Sequence, residues 1–463
     1  MDRRTFVKNT GMLGLAASLP SAAYGKERPT KRLVNQNIPI NDNWDVIVVG
    51  GGPAGCAAAI ASAREGAKTL LLEAMGVLGG MGTAGLVPAW TPFSDGEKII
   101  YKGIAEKVFR ESKKGVPHFP DSALDWVDIN PEYLKVVYDR LVKESGAHVL
   151  FYSRMAAVNK KSDDTIDSIL VANKAGLTAF KSKVYIDCTG DADLSAWAGA
   201  HVFIGDNEGN TQLPSFCFSL SNIDPEAFKK SPKLHYTNKN SPIYQILASG
   251  DYSLIVDDHI CNPMISPGVV QFNAGHLHGI DPLNPESLSE AMFRGREMVV
   301  QYHEALKKFL PETYGNSTIA NTCSLLSVRE SRRIEGDYIF TLDDWLNRRH
   351  FDDEIGQNNY YIDIHKGTVM NDARYEHYKK GETHGIPYRI LTPKGLVNLL
   401  VAGRPISTDP EAFGSLRIQP ACLVTGEAAG LAGALAAKQS DHNVHNVDIL
   451  LLRKRLKEEG QNI

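Results

Sequence analysis

The sequence predicts an α/β protein in which a parallel sheet is interrupted by an inserted region of mixed α and β structure. Three observations lead to this fold class: a β-branched apolar run at 45–49 that enters a glycine-rich turn directly, a helix of small residues after the turn, and a second short apolar run at 69–72. The chain has 463 residues, about three times the size of a typical domain of roughly 150 residues. We therefore expect two domains or one large core with an inserted cap.

The composition indicates an ordinary globular protein that does not bind nucleic acid. Apolar residues make up 43% of the chain and charged residues 22%, so a sizeable core can form and disorder is excluded. The 50 basic and 54 acidic residues give a formal net charge of -4. Because this balance provides no basic field, neither nucleic acid nor anionic lipid is expected as a partner.

Residues 1–25 are predicted to be a removable export signal. Arg3 and Arg4 lie in a charged start, an apolar run follows at 12–19, and small residues come next. The apolar run is far below the roughly 20 residues that span a bilayer, so no stable membrane span is expected. The arginine pair, followed by a threonine and a phenylalanine, resembles a twin-arginine signal, and an ordinary secretory signal is the alternative. Both interpretations place the mature protein in the periplasm or cell envelope, with 26–43 as a polar lead-in.

The glycine-rich turn has the pattern G-x-G-x-x-G in the setting that dinucleotide binding requires. Gly50 permits the tight turn, Gly52 lets the backbone approach a pyrophosphate, and Gly55 lets the following helix, predicted over 54–65, pack closely on the strand. Glu73 ends the second strand, where a carboxylate can accept hydrogen bonds from a ribose diol. No arginine follows immediately to hold a 2′-phosphate, which argues against NADP. The stretch therefore predicts a Rossmann-like dinucleotide-binding unit.

Further sequence blocks extend this pattern along the chain. They are the glycine-rich stretch 75–83, the strand and turn at 184–193, the arginine-rich stretch 326–336, the paired segments 386–389 and 398–404, and the paired segments 414–417 and 426–430. Together with the first turn, these blocks resemble the glutathione-reductase-like FAD proteins, and most closely the FAD-dependent oxidoreductase family that includes the flavin core of heterodisulfide reductase. The resemblance covers residues 44–440, nearly all of the expected mature chain.

The resemblance implies that FAD is held non-covalently in a glutathione-reductase-like fold. The cofactor residues that it implies are Gly50, Gly52, Pro53, Ala54, Gly55, Glu73, Gly79, Gly80, Met81, Thr83, Thr189, Gly190, Asp191, Gly403, Arg404, Arg417, Gly426, Ala428 and Ala429. The chain departs from the pattern where Arg404 follows Gly403, because many such proteins have Gly-Asp there, so the contact to the ribitol chain must differ.

The six cysteines lie tens of residues apart and form no C-x-x-C pair. Neither an iron–sulfur cluster nor a zinc site is therefore expected, although the flavin-containing chain of heterodisulfide reductase carries such clusters. Disulfides in an oxidising compartment are the alternative use of these residues. A chain of this length does not need them, so we interpret the cysteines as buried thiols.

Arginines are the predicted substrate clamps, because a guanidinium can bind a carboxylate or carbonyl oxygen through two donors. Arg329 or Arg332 is expected over the flavin, and Arg404 and Arg417 compete for that role or for the FAD phosphates. The alternative for the cluster at 329–333 is a solvated charged face in a strand-to-helix segment.

Histidines are the predicted proton carriers. His276 and His278 alternate, so both imidazoles lie on one face if the segment is a strand, which suits a metal or an acid/base pair. His365 and His384 are further candidates. Tyrosines that could donate a proton equally well are Tyr361 and Tyr388. No metal is predicted, because no third ligand lies at useful spacing.

A helix of small residues is predicted to open at Gly426. Its positive end could approach the flavin ring closely and stabilise negative charge there. The alternative is a packed helix that abuts the sheet.

The blocks divide the chain into a discontinuous FAD-binding domain and a cap. The predicted parts are 44–200 for the first part of the FAD-binding domain, 201–325 for the cap, 326–440 for the returning part and 441–463 for a C-terminal helix and tail. The cap contains strand-like runs at 216–220 and 269–272 and a helix-like run at 285–310 opened by Ser287. Substrate is expected between the cap and the flavin.

The predicted function is a flavin oxidoreductase without its own nicotinamide domain, because no second G-x-G-x-x-G follows a strand. A hydride would pass between flavin N5 and a small organic substrate, such as a sugar or an unsaturated or hydroxy acid, with an external electron acceptor or donor. The alternatives are a flavin subunit of a multi-component electron-transfer complex and a non-catalytic FAD-binding protein.

Overall fold

The computed structural model of the chain describes residues 37–366, 369–370 and 377–463. The export signal predicted at 1–25 and most of the lead-in at 26–43 lie outside these residues, so both stay predictions. Residues 39–463 form one compact unit of the chain. The strands and helices below all belong to this unit.

Strands and helices follow one another in three groups. Residues 40–204 contain β1 (Ile40–Val49), α1 (Pro53–Arg64), β2 (Thr69–Leu72), α2 (Ile104–Lys113), α3 (Pro131–Ser145), β3 (His148–Leu150), β4 (Arg154–Ser162), β5 (Thr165–Asn173), β6 (Gly176–Asp187), α4 (Asp193–Ala198) and β7 (Val202–Ile204). Residues 218–322 contain β8 (Phe218–Ser221), α5 (Pro225–Lys230), α6 (Pro242–Ser249), β9 (Ile260–Cys261), β10 (Met264–Ser266), β11 (Val269–Ala274), α7 (Pro285–Phe309), α8 (Pro311–Tyr314) and β12 (Thr318–Thr322). Residues 332–458 contain β13 (Arg332–Ile334), α9 (Leu342–Leu346), β14 (Glu354–Asn358), β15 (His365–Lys366), β16 (Val369–Met370), β17 (His384–Pro387), β18 (Leu399–Val401), α10 (Phe413–Leu416), α11 (Gln419–Lys438) and α12 (Ile449–Glu458).

The main sheet of the described chain has seven strands. Its order is β3-β2-β1-β6-β5-β4, and β18 pairs with the carboxyl half of β6. β3, β2, β1, β6 and β18 run parallel, whereas β5 pairs antiparallel with the amino half of β6 and β4 pairs antiparallel with β5. The parallel centre is fully buried, as expected for strands covered on both faces. The predicted α/β class with a Rossmann-like sheet is confirmed.

The glycine-rich unit forms where the sequence predicts it, with small shifts at its ends. β2 has the predicted bounds, and α1 begins at Pro53, one residue early, because proline suits the first position of a helix. β1 begins at Ile40, five residues before the apolar run, and its start pairs with β6 from Ala179 onward. Residues 40–45 are exposed or half-buried, so they lack the apolar pattern that marks 46–49.

Small residues let α1 and α11 cross at close range. A Cβ atom added at Gly426 would lie 2.2 Å from the carbonyl oxygen of Ala54, and one added at Gly430 would lie 2.1 Å from that of Ala58. Any larger side chain at either glycine would force the backbones apart. The interpretation of this segment as a packed helix therefore fits, with α1 as its main partner.

The prediction that a helix opens at Gly426 is wrong. α11 begins at Gln419, and Gly426, Ala428 and Ala429 lie buried in its interior rather than on the wall of a cavity. α11 is also long and apolar enough by composition to cross a membrane, but 94% of its apolar window is buried within the protein. Its apolar character is explained by this packing.

Most residues of a second hydrophobic core come from 216–328. β10, β11, β8 and β12 form an antiparallel sheet in this order, and β9 pairs with β11. Phe218 stacks on Phe272 across this sheet at 4.6 Å, and Tyr302 of α7 lies against Phe218. The strand-like runs and the long helix expected in this region are present, while the cap boundaries at 201 and 325 stay a prediction.

Helix α7 matches the predicted helix but has a different cap. The side chain of Asn284 accepts the backbone N–H groups of Glu286 at 2.9 Å and Ser287 at 3.3 Å. The prediction that Ser287 opens the helix is wrong, because its Oγ instead accepts the backbone N–H of Asp281 at 2.9 Å. An asparagine followed by proline provides both the cap and the first helical residue.

The arginine-rich stretch 326–336 is extended, and the prediction of a strand-to-helix segment there is wrong. β13 pairs antiparallel with β7, and the next helix, α9, begins only at Leu342. At the other end of the chain, α12 supplies the helix expected within 441–463.

Candidate active site

A cavity of about 1150 Å³ opens at the carboxyl ends of β1, β2, β6 and β18. This edge of a parallel sheet is where α/β proteins bind ligands. The wall continues into the inserted region through residues such as His259, Cys261 and Asn273. Since ligand pockets usually enclose roughly 300–1,000 Å³, the cavity has room for a dinucleotide and a small substrate together.

The glycine-rich turn forms one end of the cavity and fits a phosphate cradle. Gly50 has a φ of 98°, and a Cβ atom there would lie 2.4 Å from the carbonyl oxygen of Cys188. At Gly52 the position of an added Cβ atom is open, with no atom within 4 Å, so a ligand can approach the backbone at the start of α1. The free N–H groups of that first turn would face an anion bound there.

Glu73 lies on the cavity wall at the end of β2. Its carboxylate accepts the backbone N–H groups of Gly51 at 2.7 Å and Met75 at 2.6 Å, which fix it beside the glycine-rich turn. Burial raises its pKa, and the backbone hydrogen bonds oppose that rise. The fixed acceptor matches the position that a ribose diol requires.

Most of the predicted cofactor residues lie on the cavity wall. These are Gly50, Gly52, Pro53, Ala54, Glu73, Gly80, Met81, Thr189, Gly190, Asp191, Gly403, Arg404 and Arg417. Three others shape the wall from behind. Gly55 packs against Gly50, Gly79 adopts a φ of 95°, and Thr83 donates to the carbonyl oxygen of Leu78 at 2.6 Å.

The guanidinium of Arg404 binds the turn after β6 and is not free to bind a ligand in the cavity. It donates to the carbonyl oxygen of Gly190 at 2.7 Å, pairs with Asp191 at 2.5 Å and donates to the carbonyl oxygen of Val328. The residue therefore joins β6, β18 and the arginine-rich stretch. These contacts support a role for Arg404 in positioning the cavity wall rather than the predicted catalytic role.

Arg329 and Arg417 give one side of the cavity a positive charge. Arg329 is 8% exposed and donates to the carbonyl oxygen of Leu213 at 2.7 Å and to Ser215 Oγ at 2.9 Å. Burial, with a contribution from Arg417, lowers the pKa of Arg329 to about 10, so it stays charged at neutral pH. Arg417 pairs with Asp363 at 3.1 Å, and its buried Nε has no hydrogen-bond partner in the described part of the chain. Only Arg417 pairs directly with a carboxylate, whereas Arg329 binds neutral groups.

The other arginines of the cluster bind the protein itself. Arg332 is not itself a residue of the cavity wall and pairs from behind with the wall residue Asp193 at 2.8 Å, so the prediction that it clamps substrate is corrected. Arg333 and Glu330 form a buried ion pair, with side chains 2% and 1% exposed. The alternative of a solvated charged face is therefore also wrong for this stretch.

Three histidines that are distant in sequence meet beside the cavity. His276 Nε2 lies 3.0 Å from His365 Nδ1, and the ring of His259 stacks on that of His276 at 4.3 Å. His259 and His365 line the cavity, and His276 lies directly behind them. Two carboxylates flank the group: Asp257 binds His276 Nδ1 at 2.9 Å, and Asp363 lies 3.1 Å from His365 Nε2.

Burial and nearby arginines keep these imidazoles neutral. Burial, then Arg329, lowers the pKa of His365 to about 3. The pKa values of His259 and His276 are also lowered, mainly by burial. His278 lies at the outer side, with its Nε2 3.5 Å from Asp257 and its side chain 41% exposed. The predicted pair of His276 and His278 therefore shares a carboxylate.

His259 was not predicted, because it is isolated in the sequence. The pairing of β9 with β11 brings it beside His276, and the backbone N–H of Gly275 donates to its carbonyl oxygen at 2.9 Å. Asp257 and Asp363 were missed for the same reason. No local spacing marks residues that meet through strand pairing.

His384 lies elsewhere, which corrects its prediction as a catalytic residue. It is fully buried, with its ring nitrogens facing Asn358 Nδ2 at 3.2 Å and Tyr378 Oη at 2.5 Å, and it does not line the cavity. Of the two candidate tyrosines, Tyr361 lines the cavity, whereas the hydroxyl of Tyr388 donates to the carbonyl oxygen of Val444 at 2.8 Å.

Comparisons with known proteins find partial matches to several reductases. The chain is 34% identical over 106 residues to a fumarate reductase (cytochrome) from Shewanella frigidimarina, covering 22% of this chain and 18% of that protein. It is 31% identical over 168 residues to digeranylgeranylglycerophospholipid reductase from Methanocaldococcus jannaschii, covering 35% of this chain and 41% of the relative. The matches thus span less than half the length of these curated relatives. A geranylgeranyl bacteriochlorophyll reductase-like structure from Thermoplasma acidophilum aligns with a TM-score of 0.45 and 15% identity, covering 90% of this chain and 84% of that one.

A family match covers most of the chain. Residues 45–456 match the family described as FAD dependent oxidoreductase, from the last residues of β1 through the inserted region and into α12. The glycine cradle, the acceptor at the end of β2 and the long cavity at the sheet edge fit the FAD that this family implies. The chain belongs to the FAD dependent oxidoreductase family.

Proposed function

We propose that the protein binds FAD non-covalently and transfers a hydride between flavin N5 and a small organic acid, with an external electron acceptor or donor. The observation that carries this proposal is the pair of arginines, Arg329 and Arg417, on the wall of the same cavity as the glycine-rich turn. Bound FAD supplies the hydride acceptor or donor. The family makes the chain an oxidoreductase enzyme, and the substrate class is our inference from the charge of the cavity.

The charge of the cavity favours an acid over a sugar. Arg329 contacts a carbonyl and a hydroxyl group, and Arg417 pairs with Asp363, so two cations lie beside one carboxylate. A substrate carboxylate would balance the second cation. Since the site is buried, such a charge-assisted contact is stronger than one in water. An unsaturated or hydroxy acid therefore fits better than an uncharged sugar.

The N-terminus of α11 can stabilise negative charge on the flavin, the role that the sequence predicts for a helix start at Gly426. Arg417, Ile418 and Gln419 line the cavity, so the positive end of this 20-residue helix faces it. Partial positive charge at a helix start stabilises negative charge on a bound group. We therefore assign the N-terminus of α11, rather than its interior, to the stabilisation of reduced flavin.

The state of the cysteines supports non-covalent binding. Cys188, Cys261 and Cys422 line the cavity, and burial raises the pKa of Cys261 to about 11 and that of Cys422 to about 12. Burial also raises the pKa of Cys188 well above its usual range. Thiols in this state are poor nucleophiles, so covalent attachment of a flavin to them is not expected.

A spectrum of the purified protein tests the cofactor. We expect oxidised flavin bands, release of FAD on denaturation, and no iron in the same sample. A colourless protein that cannot be reconstituted with FAD would contradict the proposal. Stoichiometric iron, or a copurifying iron–sulfur or haem protein, would instead favour the flavin subunit of an electron-transfer complex.

Anaerobic mixing with substrate candidates tests the acid. Unsaturated and hydroxy acids should change the flavin spectrum of the oxidised or reduced protein, whereas their amides and neutral sugars should not. Replacing Arg329→Gln is expected to weaken the response to acids roughly ten- to hundredfold, because a charge-assisted hydrogen bond is lost. Arg110→Gln, on the exposed face of α2, is the matched control and should respond as the wild type does. A sugar that bleaches both variants equally would refute the choice of an acid.

Export to the periplasm or cell envelope remains part of the proposal. The basis is the charged start, apolar run and small-residue exit within residues 1–25. Arg3→Lys combined with Arg4→Lys is expected to leave the precursor in the cytoplasmic fraction if the twin-arginine route is used. Normal export of this variant would indicate the ordinary secretory route, and an unprocessed wild-type protein in the cytoplasm would exclude export.

A further inference from the structure

Two carboxylates hold the outer ring nitrogens of a histidine pair. Asp257 Oδ2 lies 2.9 Å from His276 Nδ1, and Asp363 Oδ1 lies 3.1 Å from His365 Nε2. An ionised carboxylate can only accept a hydrogen bond. Each histidine therefore makes a favourable contact only when its proton is on the outer nitrogen.

The inner nitrogens of the same pair then face each other without a proton. His276 Nε2 and His365 Nδ1 are 3.0 Å apart, so two lone pairs point into one small space. Moving a proton from an outer nitrogen to an inner one would place a lone pair against a carboxylate instead. A cation between the two inner nitrogens satisfies both histidines and both carboxylates at once.

A third imidazole lies next to this space. His259 is 3% exposed, and its buried Nδ1 has no hydrogen-bond partner in the described part of the chain. The ligand atoms of the three histidines all lie within 4.8 Å of one another. The ring of His259 stacks at 19° on that of His276, so it must turn about its side-chain bonds to direct a nitrogen at the same point. An unpartnered buried nitrogen has no hydrogen bond to lose in that turn.

We propose that His259, His276 and His365 bind a divalent transition-metal ion such as Zn²⁺. Imidazole ligands favour zinc and its neighbours over magnesium or calcium. Histidines that donate their other N–H to a carboxylate are the usual arrangement around such ions. Two nitrogens bound to zinc at a tetrahedral angle lie roughly 3.3 Å apart, close to the 3.0 Å between His276 and His365.

The ion would face the cavity with an open coordination position. His259 and His365 line the cavity, together with Arg329, while His276 lies behind them. Three protein ligands and one open position are typical of catalytic rather than structural zinc. We assign the open position to a substrate oxygen, and this role rests on the proposed function, whereas metal binding itself does not.

The charge of the surroundings accommodates a divalent ion. Asp257 and Asp363, which hold the outer nitrogens, together match its two positive charges. With Arg329 and Arg417 counted, the positive charge exceeds that of the two carboxylates, so the occupied site would also favour an anionic substrate. The sequence predicts no metal here because the third ligand joins only through the pairing of β9 with β11.

Zinc uptake by the purified, FAD-loaded protein tests the site. The protein is treated with a chelator, incubated with Zn²⁺ alone and desalted, after which zinc and FAD are measured on the same sample. We expect one zinc per chain and a higher Tm than for the chelated protein, because an ion that binds only the folded state stabilises it. His276→Gln and His365→Gln should lose this uptake. Asp257→Asn should keep it with an affinity weakened roughly ten- to hundredfold.

His201→Gln is the control for general histidine effects, since its side chain is 65% exposed and pairs with Glu335. It should bind zinc as the wild type does. A wild-type protein that takes up no zinc would overturn the site, and so would full uptake by both His276→Gln and His365→Gln. Because FAD is measured separately, a protein that binds zinc but no FAD would refute the proposed function and leave the metal site standing.

Discussion

Replacing Gly52 by valine is expected to abolish FAD binding while the protein stays folded. Gly52 precedes α1 with φ and ψ of -68° and -174°, a conformation open to any residue, and no atom lies within 4 Å of an added Cβ. The side chain would therefore occupy only the space that the phosphates need. We expect the purified variant to be colourless, with wild-type secondary structure by circular dichroism and the Tm of the FAD-free wild type.

Two companion variants separate binding from folding. Gly52→Ala adds one methyl group at the same place and should retain part of the flavin. Gly55→Ala should instead destabilise the fold, because its Cβ would lie 1.7 Å from the carbonyl oxygen of Gly50. If Gly52→Val keeps stoichiometric FAD, the cofactor does not approach this turn, and the assignment of the cavity is wrong.

The nucleotide-binding half could be predicted from the sequence because its signals are local. The strand, turn, helix and second strand from 45 to 73 are contiguous, Gly55 packs on Gly50 a few residues away, and Gly52 leaves space for the approaching ligand. Helix α7 was located for the same reason, through its apolar period. Its cap at Asn284 was missed, because Ser287 has the same capping chemistry and the choice depends on the geometry of one turn.

The candidate site could be predicted only in part, because its members come from separate segments. Arg329 and Arg417 were expected near the flavin and do line the cavity. His259 joins His276 and His365 through strand pairing and through the segment that leads into β15, neither of which leaves a pattern in the sequence. The start of α11 was misplaced because small residues near Gly426, selected for contact with α1, resembled a site of close approach to the cofactor.

Removing the guanidinium of Arg333 should cause the largest loss of stability among the arginines of this stretch. Arg333 is 1% exposed, pairs with Glu330 and donates to the carbonyl oxygens of Gly205 at 2.7 Å and Thr408 at 3.2 Å. Arg333→Met keeps much of the volume but leaves Glu330 without this cation and two carbonyl groups without their donor. We expect the free energy of unfolding to fall by about 3–5 kcal/mol, measured by denaturant titration of the FAD-loaded protein.

A double-mutant cycle identifies the cause of this loss. Glu330→Leu combined with Arg333→Met should be less destabilised than the sum of the two single variants, because neither buried charge is then left alone. Arg332→Met is the matched control: its pair with Asp193 is more exposed, so it should cost about 1 kcal/mol or less. Equal losses for Arg332→Met and Arg333→Met would show that the buried pair contributes no more than a surface one. In that case, the arginine-rich stretch would not be held in place by Glu330 and Arg333, and the position of Arg329 on the cavity wall would depend on its own contacts with Leu213 and Ser215.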